Sequence, residues 1–358
     1  MRNLHLIGML TLSVLTANAQ NATSYKTPHP SAMTEFIAKG SSAFYNEMGT
    51  GKNTKPTAKK ANERPNAAKN TKPNEAKAPT YSISTPKVNV RSADILNGDK
   101  DDFSPIFVDG GIMFVSSSRK AKATDDKPVA EDLNIKFSAL DSLGNLSRPK
   151  SFANRINSKT NEGPACFGRN GRLMFLTRNV ANKKTGETSV KIFMKYRISD
   201  STEWEGNEML PFELEKYNYA HPTLSPDGQR LYFASNLPGG FGGMDLYYSR
   251  RQPDGSWGQP INLGARVNTK GNEVFPSIAA DGTLYFSSNG LLGAQGLDLF
   301  RIDINNRTAR ALTLGAPFNS TEDDFGIMFM PNNTKKGFFS SNRTGGKGGD
   351  DIFEFEMK

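Results

Sequence analysis

Apolar and polar positions alternate in short stretches from about residue 86 onward, and the stretches recur in one order. The clearest copy begins with Pro222–Ser225, breaks at Pro226-Asp227-Gly228, and resumes at Arg230–Ser235 with Leu231 and Phe233 on one face. Alternation over this length predicts β-strands, and a Pro-Asp-Gly break between two such runs predicts a hairpin. A Gly-rich stretch, LPGGFGG, leads to a predicted third strand, Asp245–Arg250; PDGSWG then turns the chain into an outer strand, Gln259–Leu263. Four strands in series with tight turns form one antiparallel unit.

Five such units align: DDFSPIFVDGGIMFVSS from Asp101, NEGPACFGRNGRLMFLT from Asn161, YAHPTLSPDGQRLYFAS from Tyr219, NEVFPSIAADGTLYFSS from Asn272 and DDFGIMFMPNNTKKGFFSS from Asp323. With Pro105, Pro164, Pro222, Pro276 and Gly326 as equivalent points, the intervals are 59, 58, 54 and 50 residues. That period suits a four-stranded blade and exceeds most helical repeats. The predicted fold is all-β, a five-bladed β-propeller over residues 86–358. The fifth unit stops one strand short, at Asp351–Lys358, whereas Pro86–Arg91 reads like the end of a preceding unit. An N-terminal strand that completes the last blade would close the ring and remove its exposed edges.

Upstream the alternation disappears. Residues 20–85 hold ten Lys/Arg against four Asp/Glu, and from Gly51 to Thr80 the sequence has no large apolar side chain. Such a stretch buries too little surface to offset its ordering entropy, so a disordered, basic Lys/Asn/Pro-rich tail is expected. Its charge suits an anionic envelope polymer. Within it, residues 31–48 space Met33, Phe36, Ile37, Phe44 and Met48 near a helical period, which predicts a short helix that docks on a partner or back on the propeller.

Residues 1–19 read as a secretory signal: Arg2, an apolar run from Leu6 to Leu15, and a small-residue cleavage site near Ala19–Gln20. The run is too short to span a bilayer. The expectation is an exported protein, periplasmic or outer-membrane-associated and peripheral to the membrane, with no nucleic-acid partner.

Chemistry-bearing residues are sparse. Cys166 is the only cysteine, which excludes an intramolecular disulfide and a multi-cysteine metal site. Asp102, Glu162, Glu273 and Asp323 recur where inner strands begin, with His221 at the corresponding place in the third unit. This pattern predicts a ring at one mouth of the central channel. Such a ring would bind a cation or polar ligand, or supply glycosidase carboxylates; alternatively each acid accepts local backbone hydrogen bonds. Asp245, Asp298 and Asp351 share a Gly-x-Asp pattern that fixes loops to strands, and Lys191 replaces the aspartate in the second unit. Units one and two also lack the Gly-rich loops; Lys120, Asp125 and Asp126 in one, and Lys183, Lys184 and Glu187 in the other, are candidate partner-contact residues. No GxSxG, HExxH, Walker or Rossmann motif is present, so no catalytic residue, metal ligand or cofactor is predicted.

The third unit, Ser225-Pro226-Asp227-Gly228, Leu231–Asn236, Gly239–Ser249 and Gly255–Gly258, followed by Asn272–Ile278, resembles the TolB-like, WD-type propeller repeats of Bacteroidetes envelope proteins. The resemblance covers about Lys87 to Lys358. It implies a periplasmic protein whose partners are envelope or secretion-system proteins, with type IX secretion one setting. The peptidoglycan-binding OmpA-like domain frequent in that group is not expected here. The functional expectation is a non-enzymatic interaction scaffold. The alternatives are a glycan-binding lectin or glycosidase propeller, and an accessory subunit of an outer-membrane nutrient-uptake complex.

Overall fold

The computed structural model describes residues 87–358 apart from 109, 120–130, 154–155, 159, 169–170, 183–184, 198–202 and 332; the expected signal, tail and 31–48 helix fall outside the described residues. The described chain forms five four-stranded antiparallel sheets. Blade one holds β2 (Asp102–Val108), β3 (Gly111–Arg119), β4 (Glu131–Ala139) and β5 (Lys150–Ser151). Blade two holds β6 (Glu162–Phe167), β7 (Leu173–Ala181), β8 (Thr188–Tyr196) and β9 (Glu205–Met209). Blade three holds β10 (Tyr219–Leu224), β11 (Arg230–Ser235), β12 (Asp245–Arg250) and β13 (Ile261–Asn262), and blade four β14 (Glu273–Ile278), β15 (Thr283–Ser288), β16 (Asp298–Asp303) and β17 (Leu312–Thr313). Blade five combines β18 (Asp324–Met330), β19 (Asn333–Ser341) and β20 (Asp351–Met357) with β1 (Val88–Ser92) from the opposite end of the domain. The inner strands β2, β6, β10, β14 and β18 pack beside one another in a closed cycle.

In blade three, β11 and β12 occupy the predicted residues. The inner strand begins three residues earlier than expected, and the outer strand shrinks to two residues. Alternation also yields to burial on both faces. Leu231 and Phe233 pack toward blade two with Phe175 and Ile192, while Ala234 and Leu246 join Val274 and Leu284 of blade four. A blade in the ring is sandwiched between neighbours, so its middle strands are apolar on both sides.

The closing strand pairs with the last strand from Val88↔Met357 to Ser92↔Phe353. Arg91 bridges to Glu354 at 2.8 Å, and Lys358 N–H donates to the Lys87 carbonyl. Val88 and Val90 pack with the buried Phe353 and Phe355.

Two polar clasps repeat around the ring. At the start of each inner strand an Asp or Asn side chain accepts a backbone N–H of the preceding blade. Asp101 accepts from Asp350, Asn161 from Leu133, Asn218 from Val190, Asn272 from Met244 and Asp323 from Leu297, at 2.7–3.1 Å. After each outer strand a second side chain ties to its own third strand: Asn97 to Ile352, Asn157 to Ile135, Asn268 to Leu246 and Asn319 to Leu299, each both donating and accepting. Blade two substitutes Glu213, which accepts from Ile192 N–H. These clasps satisfy backbone groups that short outer strands leave unpaired.

Candidate functional site

Every inner strand slips register by one residue partway along. The bulge falls on Ser104, His221, Phe275 and Gly326, whose φ angles are 54°, 54°, 49° and 62°; Pro164 takes the equivalent place in blade two. Left-handed backbone is strained for Phe and His. Neighbouring packing holds both. The His221 and Phe275 rings stack at 3.9 Å with 11° between planes, and Phe275 meets Phe325 at 4.8 Å. This cluster constricts the channel beside a cavity of about 60 Å³ lined by Ser104, Thr223 and Ser277 among others. His221 is buried, its Nδ1 accepts the Phe275 N–H, and desolvation lowers its pKa to about 3, so it is neutral at physiological pH. It sits two residues inside the strand, not at its start; Tyr219 is the register partner of the acids.

Those acids are buried and tied to the loops that precede them. Asp102 accepts Gly98 N–H at 2.6 Å. Glu162 accepts Ser158 Oγ and Arg178 Nε at 2.6 and 3.0 Å. Glu273 accepts both the N–H and the hydroxyl of Thr269, with Ser288 Oγ at 2.7 Å. The fifth equivalent is Asp324, which accepts from Ser320 and Arg343; Asp323 instead forms the interblade clasp. Desolvation raises the pKa of Asp102, Glu162 and Glu273, and lifts Asp323 to about 7. A hydrolytic carboxylate pair must face one substrate from about 5–9.5 Å apart. Asp102, Glu162, Glu273 and Asp323 are all buried, so each carboxylate is turned to its own blade junction and not to solvent.

Of the loop residues, Lys120, Asp125, Asp126, Lys183 and Lys184 lie outside the described set. Glu187 is exposed in a cleft of about 160 Å³ with Asn182, Glu215 and Lys216. Lys191 is buried below that cleft, its Nζ donating to the Leu214 and Tyr217 carbonyls and lying 5.0 Å from the Tyr219 ring centroid. Burial lowers the pKa of Lys191 and raises that of Glu213. Asp245, Asp298 and Asp351 accept loop N–H groups from Phe241, Gln295 and Lys347. Among the described residues no His/Cys/Asp/Glu group is arranged to hold a metal.

One pocket lies away from every residue singled out in the sequence. Four aromatic rings meet between blades one and two, on the face that carries the inner-strand hairpins. Phe137 comes from β4, Phe152 follows β5, Phe167 ends β6, and Trp204 leads into β9. Phe152 lies edge-on to Phe137 at 6.0 Å and to Phe167 at 5.9 Å; Phe167 meets Trp204 at 5.6 Å. The Arg197 guanidinium sits 5.3 Å from the Trp204 ring centroid. Together with Phe107, Gly168 and Gly171 these residues line a cavity of about 360 Å³. A half-open pocket that mixes aromatic rings, polar surface and one cation can bind an organic ligand by ring faces and orient it by charge.

No protein-family model and no curated protein matches the sequence. Similar folds occur among solved structures. A GH43_12 protein from capybara gut metagenome matches with TM-score 0.44 and 13% identity, over 76% of this chain and 54% of its own. The present chain therefore spans about half of that protein. An alpha-L-arabinofuranosidase from Lactobacillus brevis matches with TM-score 0.47 and 8% identity, over 75% of this chain and 92% of its own. A putative glycoside hydrolase from Parabacteroides distasonis matches with TM-score 0.39 and 12% identity, over 77% and 95%. The chain is a five-bladed β-propeller. At these values the likeness is one of fold. Glycoside hydrolases and peptidases are among the neighbours, and the specific TolB-like family is not shown. Against these enzyme neighbours the expectation of a non-enzymatic interaction scaffold is withdrawn; they assign no activity to this chain.

Proposed function

We propose that the propeller is an exported, glycan-directed domain that takes a sugar into the aromatic pocket between blades one and two. The observation that carries this reading is the convergence of Phe137, Phe152, Phe167 and Trp204 around about 360 Å³ of open space, with Arg197 alongside. Pyranose C–H groups carry slight positive charge and suit the negative faces of aromatic rings, while a guanidinium donates to hydroxyl or carboxylate oxygens. Export and kinship with TolB-like repeats belong to the same proposal. They are supported by the signal-like residues 1–19 and by the Ser225–Ser249 motif string.

A glycan array on the mature chain, followed by calorimetry with the best hit, tests the binding. Phe152→Leu, which keeps apolar volume and removes the ring, and Arg197→Ala should each weaken it at least tenfold, in proteins that circular dichroism shows to be folded at the assay temperature. The same glycans, incubated with the protein and analysed for released reducing ends, show whether the bound sugar is also cleaved. Binding that survives both substitutions, or no binding to any glycan class, would overturn the proposal.

A further inference from the structure

The lining of the aromatic pocket is cationic. Among the described residues that form it, Arg197 carries the charge; the others are aromatic, aliphatic or glycine. Glu203 and Glu205 flank Trp204 in sequence, but both are exposed and neither joins the lining. Ring faces accept the C–H groups of a neutral sugar and of an acidic sugar alike. Charge therefore decides between them.

Strand register adds a cation on each wall. Lys150 pairs with Phe137 across β4 and β5. Residues directly opposite in an antiparallel pair leave the sheet on one face, about 4.5–5.5 Å apart. The exposed Lys150 thus emerges beside the pocket-lining Phe137, on the face that Phe152 shares two residues along. On the other wall the exposed Arg172 follows the lining Gly171, and its carbonyl accepts the Arg197 N–H at 2.9 Å. Arg197 itself is half-buried, 5.3 Å from the Trp204 ring centroid, where water screens a charge less than on open surface. A guanidinium has five N–H donors in a fork that fits a carboxylate with two parallel bonds. It can take one while keeping bonds within the protein.

We infer that the ligand is an acidic sugar: a uronic acid unit rests on the half-buried rings of Phe152 and Phe167, and its carboxylate pairs with Arg197, an inference that rests on the sugar reading of this pocket. Lys150 and Arg172 draw the anion in without gripping it.

The test is calorimetry on the mature chain with two matched ligands, a uronic acid oligomer and the same oligomer with its carboxylates reduced to hydroxymethyl groups. The acidic form should bind at least about tenfold more tightly, the weight of a charge-assisted hydrogen bond. Arg197→Gln should erase that preference and leave the neutral form within about twofold, because the ring faces remain. Lys150→Gln should lower affinity for the acidic form alone and flatten its salt dependence. Circular dichroism checks that each variant is folded. Equal binding of the two forms, with both weakened by Phe152→Leu, would overturn the acidic preference and leave the sugar site standing. A sulfated neutral oligomer that binds more tightly than the uronic acid would overturn the carboxylate assignment. No binding of any of the three would overturn the sugar site, and the inference with it.

Discussion

The clasp in blade three allows a quantitative forecast. Asn268 is buried; it accepts the Leu246 N–H at 2.8 Å and donates to the Leu246 carbonyl at 3.0 Å and to Asn262 Oδ1 at 2.8 Å. The Asn268→Ala change strands the Leu246 N–H, which has no strand partner because β13 pairs with β12 only from Tyr247 onward. An orphaned buried donor costs about 1–3 kcal/mol. The Leu246 carbonyl fares better, because Leu263 N–H also donates to it at 3.0 Å; losing its second bond costs about 0.5–1.5 kcal/mol. The sum is roughly 2–4 kcal/mol, and at just under about 2 °C per kcal/mol for a domain of about 270 residues the melting temperature should drop by about 3–8 °C. Asn268→Asp should be no milder, since it turns an oxygen toward those of Leu246 and Asn262. Asn319→Ala, which breaks the same pattern on Leu299, should match Asn268→Ala. Thermal melts followed by circular dichroism at neutral pH supply the measurement. A drop equivalent to less than about 0.5 kcal/mol, the range of inert surface changes, would refute the reasoning, as would a tolerated aspartate.

Three further outcomes are expected. Asp323 is raised to about 7 by burial, above its unfolded value near 3.8, so its ionisation destabilises the fold. That penalty is absent below about pH 4 and grows until it is complete above about pH 7. Asp323→Asn, which keeps the acceptor that Asn161, Asn218 and Asn272 provide elsewhere, should raise the melting temperature at pH 8 and leave it unchanged at pH 4; equal shifts at both would contradict the assignment. Deleting residues up to Ser92 should open blade five and admit protease into Phe353–Met357 in limited-digestion assays, whereas an intact digestion pattern would speak against closure by β1. At φ 49°, Phe275→Gly should be no less stable in urea melts than Phe275→Ala, because alanine in left-handed backbone costs about 1 kcal/mol; a clearly better alanine variant would show that the backbone relaxes.

The architecture was legible because each blade repeats its own turn chemistry. The Pro-Asp-Gly break before Arg230 and the Gly-rich approach to Asp245 mark strand ends that the structure keeps, and the missing last strand betrayed the closure. Side-chain destinations were harder to read. Asp323 and Asp324 are adjacent acids, and only pairing with Ser341 shows that Asp324 occupies the place of Asp102. His221 reads as a strand-starting residue until the bulge reveals it as the residue with inverted φ. The aromatic pocket stays hidden in the sequence because no single unit contains it. Phe137 and Phe152 belong to one blade, Phe167 and Trp204 to the next, and no repeat alignment places them side by side. One signal was available: the chain has only two tryptophans. Both are buried; Trp257 is packed edge-on to Phe175 between blades two and three, while Trp204 lines the pocket.

The pairing of β1 with β20 has a mechanical consequence. Both strands reach their free ends at the same point, where Lys87 meets Lys358 and Val88 meets Met357. A pull on the tail against the C-terminus would therefore load the pairs one after another, as a zipper opens, and not all together in shear. The seam of the ring would yield first under such tension, long before the blades that have no chain end to grip.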